Sequence, residues 1–280
     1  MKSALLVALA AACAPDLGPP DFLVDRPRVI AVQSVPPEVA PGASAAFHLL
    51  AVGPSGPLDV SSAGWAFCTA PLPLTESGTV ASACEGTLPQ IALGAAPSIA
   101  TSPDACGLFG SVPSSVARRP RNPDATGGYF QPVRVQVSGA TAFAQERLLC
   151  PLTQASLSVS LDFQRRYTPN QNPVITAFSG PTEVSAGQQV LLTISWDQGS
   201  VETYPVFDPA HLQIVDTAEV MTVSWYATAG TLLQDRSGAT GLSATNTWIA
   251  PSSGTVFLWA VLHDSRGGLD MASLQATVAQ

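Results

Sequence analysis

The chain has 280 residues, a length typical of about two domains, and 46% of them are hydrophobic, enough to fill two cores. The net charge of −8 argues against nucleic-acid binding, because phosphate contacts need clustered Lys and Arg, whereas 12 basic residues here face 20 acidic ones. Charged residues make up only 11%, which together with the hydrophobic content disfavours a disordered chain. The 25 prolines and 22 glycines favour short strands joined by many turns.

The amino terminus has the features of an export signal. Met1-Lys2 is positively charged, and residues 4–12 form an apolar segment that is too short to span a membrane as a helix. The segment ends in Leu9-Ala10-Ala11-Ala12-Cys13, which resembles the bacterial lipoprotein signal, where small residues precede an acylated cysteine. The resemblance implies that residues 1–12 are a signal peptide and that Cys13 is the lipidation site. The alternative is an ordinary signal peptide cleaved after an Ala-x-Ala sequence.

The residue after the cysteine indicates the membrane. Ala14 follows Cys13 where, by the same resemblance, an Asp would favour retention in the inner membrane. The resemblance therefore implies an outer-membrane protein on the periplasmic or cell-surface face, held by two or three acyl chains. The Pro-rich residues 13–27 are predicted to be a tether that lifts the first domain off the lipid.

The other four cysteines lie in the first half of the chain, at Cys68, Cys84, Cys106 and Cys150. An even number in an exported protein predicts disulfides, with three possible connectivities. We expect the sequential pairing, Cys68–Cys84 and Cys106–Cys150. Zinc is the alternative, but the chain has no CxxC spacing and no histidine close to these cysteines in sequence.

An internal repeat predicts two similar domains. Residues 29–31 lead into a segment from Glu38 to Gly42, and the same layout returns at residues 174–176 and from Glu183 to Gly187, a constant offset of 145. A fixed offset indicates one supersecondary unit that occurs twice. We predict domains at 28–167 and 173–280, joined by a linker at 168–172.

The first domain, 28–167, contains alternating strand patterns around a long irregular region. Trp65 lies in a strand-like segment and is expected in the core. Residues 69–128 are rich in Pro and Gly and have weak periodicity, so this long insertion is expected to need stapling by the disulfides. Residues 157–163 alternate as a strand does, but Arg165 and Arg166 could equally close a short helix, and the sequence leaves both open.

The second domain, 173–280, has short alternating strands with turns between them, a pattern typical of a β-sandwich. Trp196, Trp225 and Trp248 fall on the apolar faces of three strands and are expected in the core. The segments 225–230, 248–251 and 261–268 resemble bacterial Ig-like and PKD-like modules. The resemblance implies an all-β protein with two tandem immunoglobulin-like sandwiches.

No residue pattern in the sequence indicates catalysis. It contains no G-x-S-x-G, H-E-x-x-H, P-loop or dinucleotide-binding motif, and His48, His211 and His263 share no ligand spacing. Calcium in the acidic region 197–219 is an alternative that the spacing of its carboxylates disfavours. Asp264 is expected to cap a turn. We therefore predict no enzyme activity, no cofactor and no metal.

The leading hypothesis is a lipid-anchored cell-envelope protein that acts as a structural or protein-interaction module, with envelope or extracellular proteins as partners. The contact surface is expected in the stapled region 69–128. One alternative is a carbohydrate-binding or adhesin module, which requires solvent-facing aromatics at Tyr129, Phe130 and Tyr204. A second is an accessory subunit of an envelope complex, which requires an exposed apolar patch on one sheet.

Overall fold

The computed structural model describes residues 19–73, 75–111 and 123–279, and in them the chain is all-β. The predicted signal peptide 1–12, the lipidation site Cys13 and the first residues of the predicted tether lie outside this part. Among the described residues, no helix is long and apolar enough to cross a membrane.

In the described residues, the first half of the chain forms nine strands and two α-helices. They are β1 (Arg28–Val35), β2 (Glu38–Val39), β3 (Ser44–Gly53), β4 (Gly56–Pro57), β5 (Gly64–Phe67), β6 (Ala92–Leu93), β7 (Ser98–Ala100), α1 (Ala105–Phe109), β8 (Tyr129–Val137), β9 (Ala140–Leu148) and α2 (Leu157–Arg166).

The second half adds eleven strands. They are β10 (Ile175–Ser179), β11 (Glu183–Ser185), β12 (Gln189–Trp196), β13 (Thr203–Asp208), β14 (Gln213–Ala218), β15 (Thr222–Ala227), β16 (Thr231–Leu232), β17 (Arg236–Gly238), β18 (Ser243–Ile249), β19 (Gly254–His263) and β20 (Leu269–Ala279). Single 3₁₀ turns occur at Ser82–Cys84 and Gln198–Ser200.

Each half of the chain folds into a two-sheet sandwich. In the first, β1, β3, β4 and β7 form inner sheet 1, and β2-β9-β8-β5-β6 form outer sheet 1. In the second, β11-β20-β19-β15-β17 form inner sheet 2, and β10-β12-β18-β16 form outer sheet 2. Trp65 is buried in the first core, and Trp196, Trp225 and Trp248 are buried in the second.

The two inner sheets pack against each other, so the molecule is a stack of four sheets. The inward side chains of β19 enter the second core, while Phe257, Trp259 and Val261 on its other face contact the first sandwich. Trp259 is 1% exposed and packs with Ile30 of β1 and Val52 of β3. Burial on both faces explains why residues 256–262 are continuously apolar.

Residues 19–27, which precede β1 and which we call the stem, dock on the second sandwich. The prediction of a tether is therefore wrong for residues 22–24. The amide of Ala227 donates to Phe22 O over 3.0 Å, and the amide of Val24 donates to Ala227 O over 2.9 Å. Phe22 is buried in the second core and Val24 in the layer between the inner sheets. The physical reason is that a buried Phe and a buried Val stabilise the docked stem by about 1.5–3 kcal/mol each.

The two copies of the repeated segment, residues 29–42 and 174–187, which we call the openers, fold alike but differ in what surrounds their glutamate. β1 and β10 each pair antiparallel with the strand that follows the opener, and β2 and β11 each pair parallel with the last strand of their sandwich. Gly42 and Gly187 both adopt a positive φ (79° and 70°) in the connecting turn. Glu38, however, is buried, whereas its counterpart Glu183 is exposed.

Two regions that the sequence left open or treated as loops are regular. Residues 157–163 are helical, in α2, which begins at the cap residue Ser156, whose hydroxyl accepts from the amide of Val159. The acidic region 197–219 contains the hairpin β13–β14, which packs beside α2. The strand-forming residues in 203–207 and 213–217, on either side of an Asp208-Pro209 turn, were a usable hairpin signal.

The two disulfides connect Cys68 with Cys84 and Cys106 with Cys150, the sequential pairing expected. Part of the stapled insertion covers the outer face of outer sheet 1. The guanidinium of Arg134 on β8 donates to Gly86 O and Leu88 O, and the side-chain Nε2 of Gln145 on β9 donates to Thr79 O. The Cys68–Cys84 bridge therefore ties this cover to β5.

Candidate functional site

Buried ion pairs and hydrogen bonds join the two sandwiches where the linker crosses, and we call this set of contacts the polar junction. Its first part is an ion pair at the β2 edge of outer sheet 1. Arg147 Nε donates to Glu38 Oε1 over 3.1 Å, and both side chains are only 2% exposed. The Tyr167 hydroxyl lies 2.8 and 2.7 Å from the two carboxylate oxygens, and the Asn170 amide donates to Oε2 over 2.9 Å. A buried carboxylate is tolerated when donors surround it in this way.

The second part of the junction is centred on Arg266, in the turn between β19 and β20. Its Nε donates to Glu219 Oε1 over 2.8 Å, with side chains 1% and 0% exposed, and a second nitrogen pairs with the partly exposed Glu202. Nη1 donates to Thr168 O over 3.1 Å. The guanidinium carbon lies 4.4 Å from the ring centroid of Tyr204, a cation–π distance.

The predicted linker joins these parts and is itself bound to both sandwiches. Asn170, which contacts Glu38, also donates from Nδ2 to Asp264 over 3.1 Å. Asn172 donates to Ser34 O in the first sandwich over 2.6 Å and accepts from the Leu269 amide in the second over 2.9 Å. These contacts and the apolar layer between the inner sheets fix the relative orientation of the two sandwiches.

Asp264 caps the β19–β20 turn, as the sequence predicted. One carboxylate oxygen accepts from the amides of Arg266 and Gly268, each over 2.8 Å. Burial, followed by the charge of Glu219, raises the pKa of Asp264 to about 7, although the hydrogen bonds from Asn170 and the turn amides oppose the shift. Burial likewise raises the pKa of Tyr167 to about 12, so its hydroxyl remains a donor at neutral pH.

A separate buried carboxylate lies inside the first sandwich. Glu146 on β9 is 0% exposed and faces its cross-strand partner Gln131. Among the described residues, neither carboxylate oxygen has a hydrogen bond of good geometry, nor does Gln131 Oε1. Burial raises the pKa of Glu146 to about 8, the charge of Glu38 adds to the shift, and the nearby Ser34 hydroxyl opposes it. Glu146 is therefore mostly protonated at neutral pH.

The stapled insertion presents a small apolar edge, formed by Ile91 and Leu93. Ile91 directly precedes β6, the edge strand of outer sheet 1, and Leu93 is its last residue. Their side chains are 48% and 64% exposed. Ala92 between them packs on the first core, so Ile91 and Leu93 both point outward by the period-two rule. An exposed edge strand with apolar side chains can accept a partner segment.

Two of the three aromatics that a carbohydrate platform would need are buried, and the third is half-buried. Tyr129 is 4% exposed in the first core, and Tyr204 is 2% exposed beneath Arg266. Phe130 is half-buried, with the guanidinium carbon of Arg147 5.6 Å from its ring centroid. The arrangement required for that alternative is therefore not formed by these three residues.

The three histidines lie on separate elements, and the described residues form no metal-binding cluster. Among them, no group of three or more His, Cys, Asp or Glu side chains could hold a metal ion. His48 lies on β3, and His211 pairs with Asp208 at the tip of the β13–β14 hairpin. His263 ends β19, where burial and then Arg236 lower its pKa to about 4. Within 197–219, Glu202 and Glu219 form ion pairs with the Arg266 guanidinium.

No family model matches the sequence, and no curated protein is similar to it. Among solved structures, the D00–D0 domains of intimin align at a TM-score of 0.28 and 11% identity over 89% of this chain and all of that one. The Yersinia pseudotuberculosis adhesin InvE aligns at 0.26 and 11% identity over 88% of this chain and 58% of that one.

A superoxide reductase from Ignicoccus hospitalis aligns at a TM-score of 0.26 and 16% identity over 39% of this chain and 81% of that one. Likenesses this distant carry no argument about function. The fold is assigned from the strand pairing. In the first sandwich, for example, β1 pairs within inner sheet 1 and β2 pairs within outer sheet 1, and the protein is an all-β protein of tandem immunoglobulin-like sandwiches.

We predict that replacing Arg266 destabilises the protein through the carboxylate that is left behind. Arg266→Met leaves Glu219 buried without its partner and should cost about 3–5 kcal/mol in the free energy of unfolding, measured in urea by tryptophan fluorescence. The double variant Arg266→Met/Glu219→Met removes both charges and should recover most of the loss.

The matched control is Arg165→Met, because Arg165 pairs with Asp162 on the exposed surface of α2. It should change the free energy of unfolding by less than about 1 kcal/mol. An Arg266→Met loss as small as this, or a double variant no better than the single one, would contradict a buried junction.

We also predict that Glu146 makes the protein more stable in acid. From pH 4.5 to about 8 the unfolded chain loses the Glu146 proton while the folded protein keeps it, so stability is full below the unfolded pKa and falls as the pH rises through this window. The limiting slope is about 1.4 kcal/mol per pH unit. The free energy of unfolding of Glu146→Gln, measured in urea at pH 5, 6, 7 and 8, should lack this contribution to its pH dependence.

Asp264 also makes stability fall with rising pH, up to about pH 7. The free energy of unfolding of Glu146→Gln should therefore fall less steeply with pH than that of the wild type, but it should still fall. Glu183→Gln, at the exposed counterpart of Glu38, should keep the wild-type slope. Identical pH profiles for Glu146→Gln and wild type would show that Glu146 is ionised in the folded protein.

Proposed function

We propose that this protein is a lipid-anchored, non-catalytic component of a bacterial cell envelope, acting as a structural or protein-interaction module. The observation that supports the proposal most is the rigid union of the two sandwiches, through the apolar layer around Trp259 and the polar junction around Arg266 and Glu38. A rigid scaffold that holds its loops in fixed positions suits recognition or spacing. The sequence leading to Cys13 supports the anchor.

The contact surface that we propose is the apolar edge of Ile91 and Leu93 in the stapled insertion. Two outward aliphatic side chains beside an edge strand favour a protein partner, as in the accessory-subunit alternative. A polysaccharide partner has weaker support, because Tyr129 and Tyr204 are buried and are not available to stack on a sugar.

The anchor is tested by Cys13→Ser. The full-length wild-type protein should sediment with outer membranes, because two or three acyl chains hold a protein stably. The variant should be recovered in the soluble fraction, as followed by immunoblot of separated membranes. Unchanged partitioning of Cys13→Ser would rule out acylation at this residue as the means of attachment.

The contact surface is tested by Ile91→Glu/Leu93→Glu. A charge at each position should abolish crosslinking of the anchored protein to its envelope partner without lowering the melting temperature, since both side chains are exposed. Leu191→Glu is the matched control, because Leu191 is 62% exposed on the outer face of outer sheet 2. Loss of crosslinking with the control alone would place the surface elsewhere.

A further inference from the structure

The stem lies between Cys13 and the two sandwiches in sequence, so every force applied at Cys13 reaches the sandwiches through it. Its backbone is held at a single point. β17 covers residues 222–224 of the β15 edge, and the stem takes the last position of that edge, at Ala227. There it makes two backbone hydrogen bonds, around the single bridge between Leu23 and Ala227. Tension at Cys13 therefore acts first on this one bridge.

The strand that follows the stem is held much more firmly. β1 pairs antiparallel with β3 at seven positions between Arg28 and Val35. The two faces of β1 are also packed, with Val32 against the first core and Ile30 in the layer between the inner sheets. Because two hydrogen bonds hold the stem and a full strand pairing holds β1, we expect the stem to give way first under tension.

Side-chain burial keeps the stem docked in the absence of tension. Phe22 is 6% exposed in the second core, and Val24 is 0% exposed beside Trp259. Release frees the backbone of residues 22–27, and the conformational entropy that a freed segment gains offsets part of the lost burial. The docked and released states therefore differ by much less free energy than the folded and unfolded sandwiches.

Release of the stem lengthens the connection between Cys13 and the sandwiches. Arg28 Nη1 donates to Asp21 O over 2.8 Å, so one arginine side chain bridges seven residues that could span about 25 Å when extended. The Arg28 guanidinium carbon also lies 5.4 Å from the ring centroid of Tyr226, the neighbour of Ala227. Release therefore moves the point of attachment only from Ala227 to the nearby start of β1, and it adds on the order of 15 Å of chain.

We propose that the stem is a release strap, which tension between the anchor and a bound partner pulls off Ala227 before either sandwich unfolds. The proposal rests on the lipid anchor and the partner contact of the proposed function. The docked strap keeps the protein close to the membrane, and the released strap lets it follow a partner that moves away. Phe22 leaves the second core on release, but the other 19 of its 20 buried residues remain.

The experiment pulls single molecules of the full-length chain in unacylated form, so that its outcome does not depend on the anchor. DNA handles are attached to Cys13 and to Leu93→Cys, an exposed position on the apolar edge. The other cysteines are in disulfides and do not react. In optical tweezers, the first event should lengthen the molecule by about 1.5 nm. It should occur well below the unfolding forces and reverse when the tension is relaxed.

Phe22→Ala assigns this event to the stem. It should lower the force of the first event or remove that event, and it should leave the later unfolding forces unchanged, because Phe22 has already left the core when the sandwiches unfold. The matched control is Leu191→Ala, at a side chain that is 62% exposed, and it should change neither force.

Two outcomes would overturn the strap. The stem and the second sandwich could yield together in one event, or Phe22→Ala could lower the later unfolding forces, as a residue that stays in the core until unfolding requires. Either outcome would leave the anchored, partner-binding function standing, because membrane fractionation of Cys13→Ser tests the anchor separately.

Discussion

The structure depends on the burial of β19 between two partners. Its odd-numbered side chains, with Trp259 at their centre, meet the first sandwich, and its even-numbered ones enter the core of the second. A half-buried strand would leave Phe257, Trp259 and Val261 in water, and apolar surface on that scale favours association at about 25 cal/mol per Å². The two sandwiches therefore stack face to face, and this stacking decides where the stem, the linker and both ends of the molecule lie.

The polar junction has a different role from the apolar layer. Buried ion pairs such as Arg147–Glu38 and Arg266–Glu219 contribute little net stability, because desolvation offsets the Coulomb attraction. They are costly to break, however, so they disfavour any arrangement in which the sandwiches rotate or slide and separate the partners. Nonspecific burial brings the sheets together, and the junction selects one register between them. The raised pKa values of Glu146 and Asp264 add a preference for acidic conditions.

This architecture concentrates buried charge at one place. The buried ion pairs lie where the linker crosses, whereas the stem docks on Ala227, which pairs with Leu258 midway along β19. A stem docked on the second sandwich also means that neither sandwich is a separate module, because Phe22 and Leu23 join a core whose other members all follow residue 173. The immunoglobulin-like units are thus interleaved in sequence, and the apolar edge of Ile91 and Leu93 belongs to a single rigid body.

The sequence by itself determined the all-β class, the two halves, the core tryptophans, the turn capped by Asp264 and the presence of disulfides. These follow from short-range periodicity, a constant repeat offset and an even number of cysteines, whereas the structure decided which of the three connectivities forms. Only the tertiary structure decided that Glu38 is buried while Glu183 is exposed, that residues 157–163 are helical, and that residues 22–24 pack on the second sandwich instead of serving as a tether. Glu38 is buried by contacts with Tyr167 and Asn170, and residues 22–24 are held by the second sandwich, whereas α2 packs beside the β13–β14 hairpin. Local pattern cannot encode the burial of Glu38, because the same Glu-Val pair meets Arg147 in one opener and water in the other.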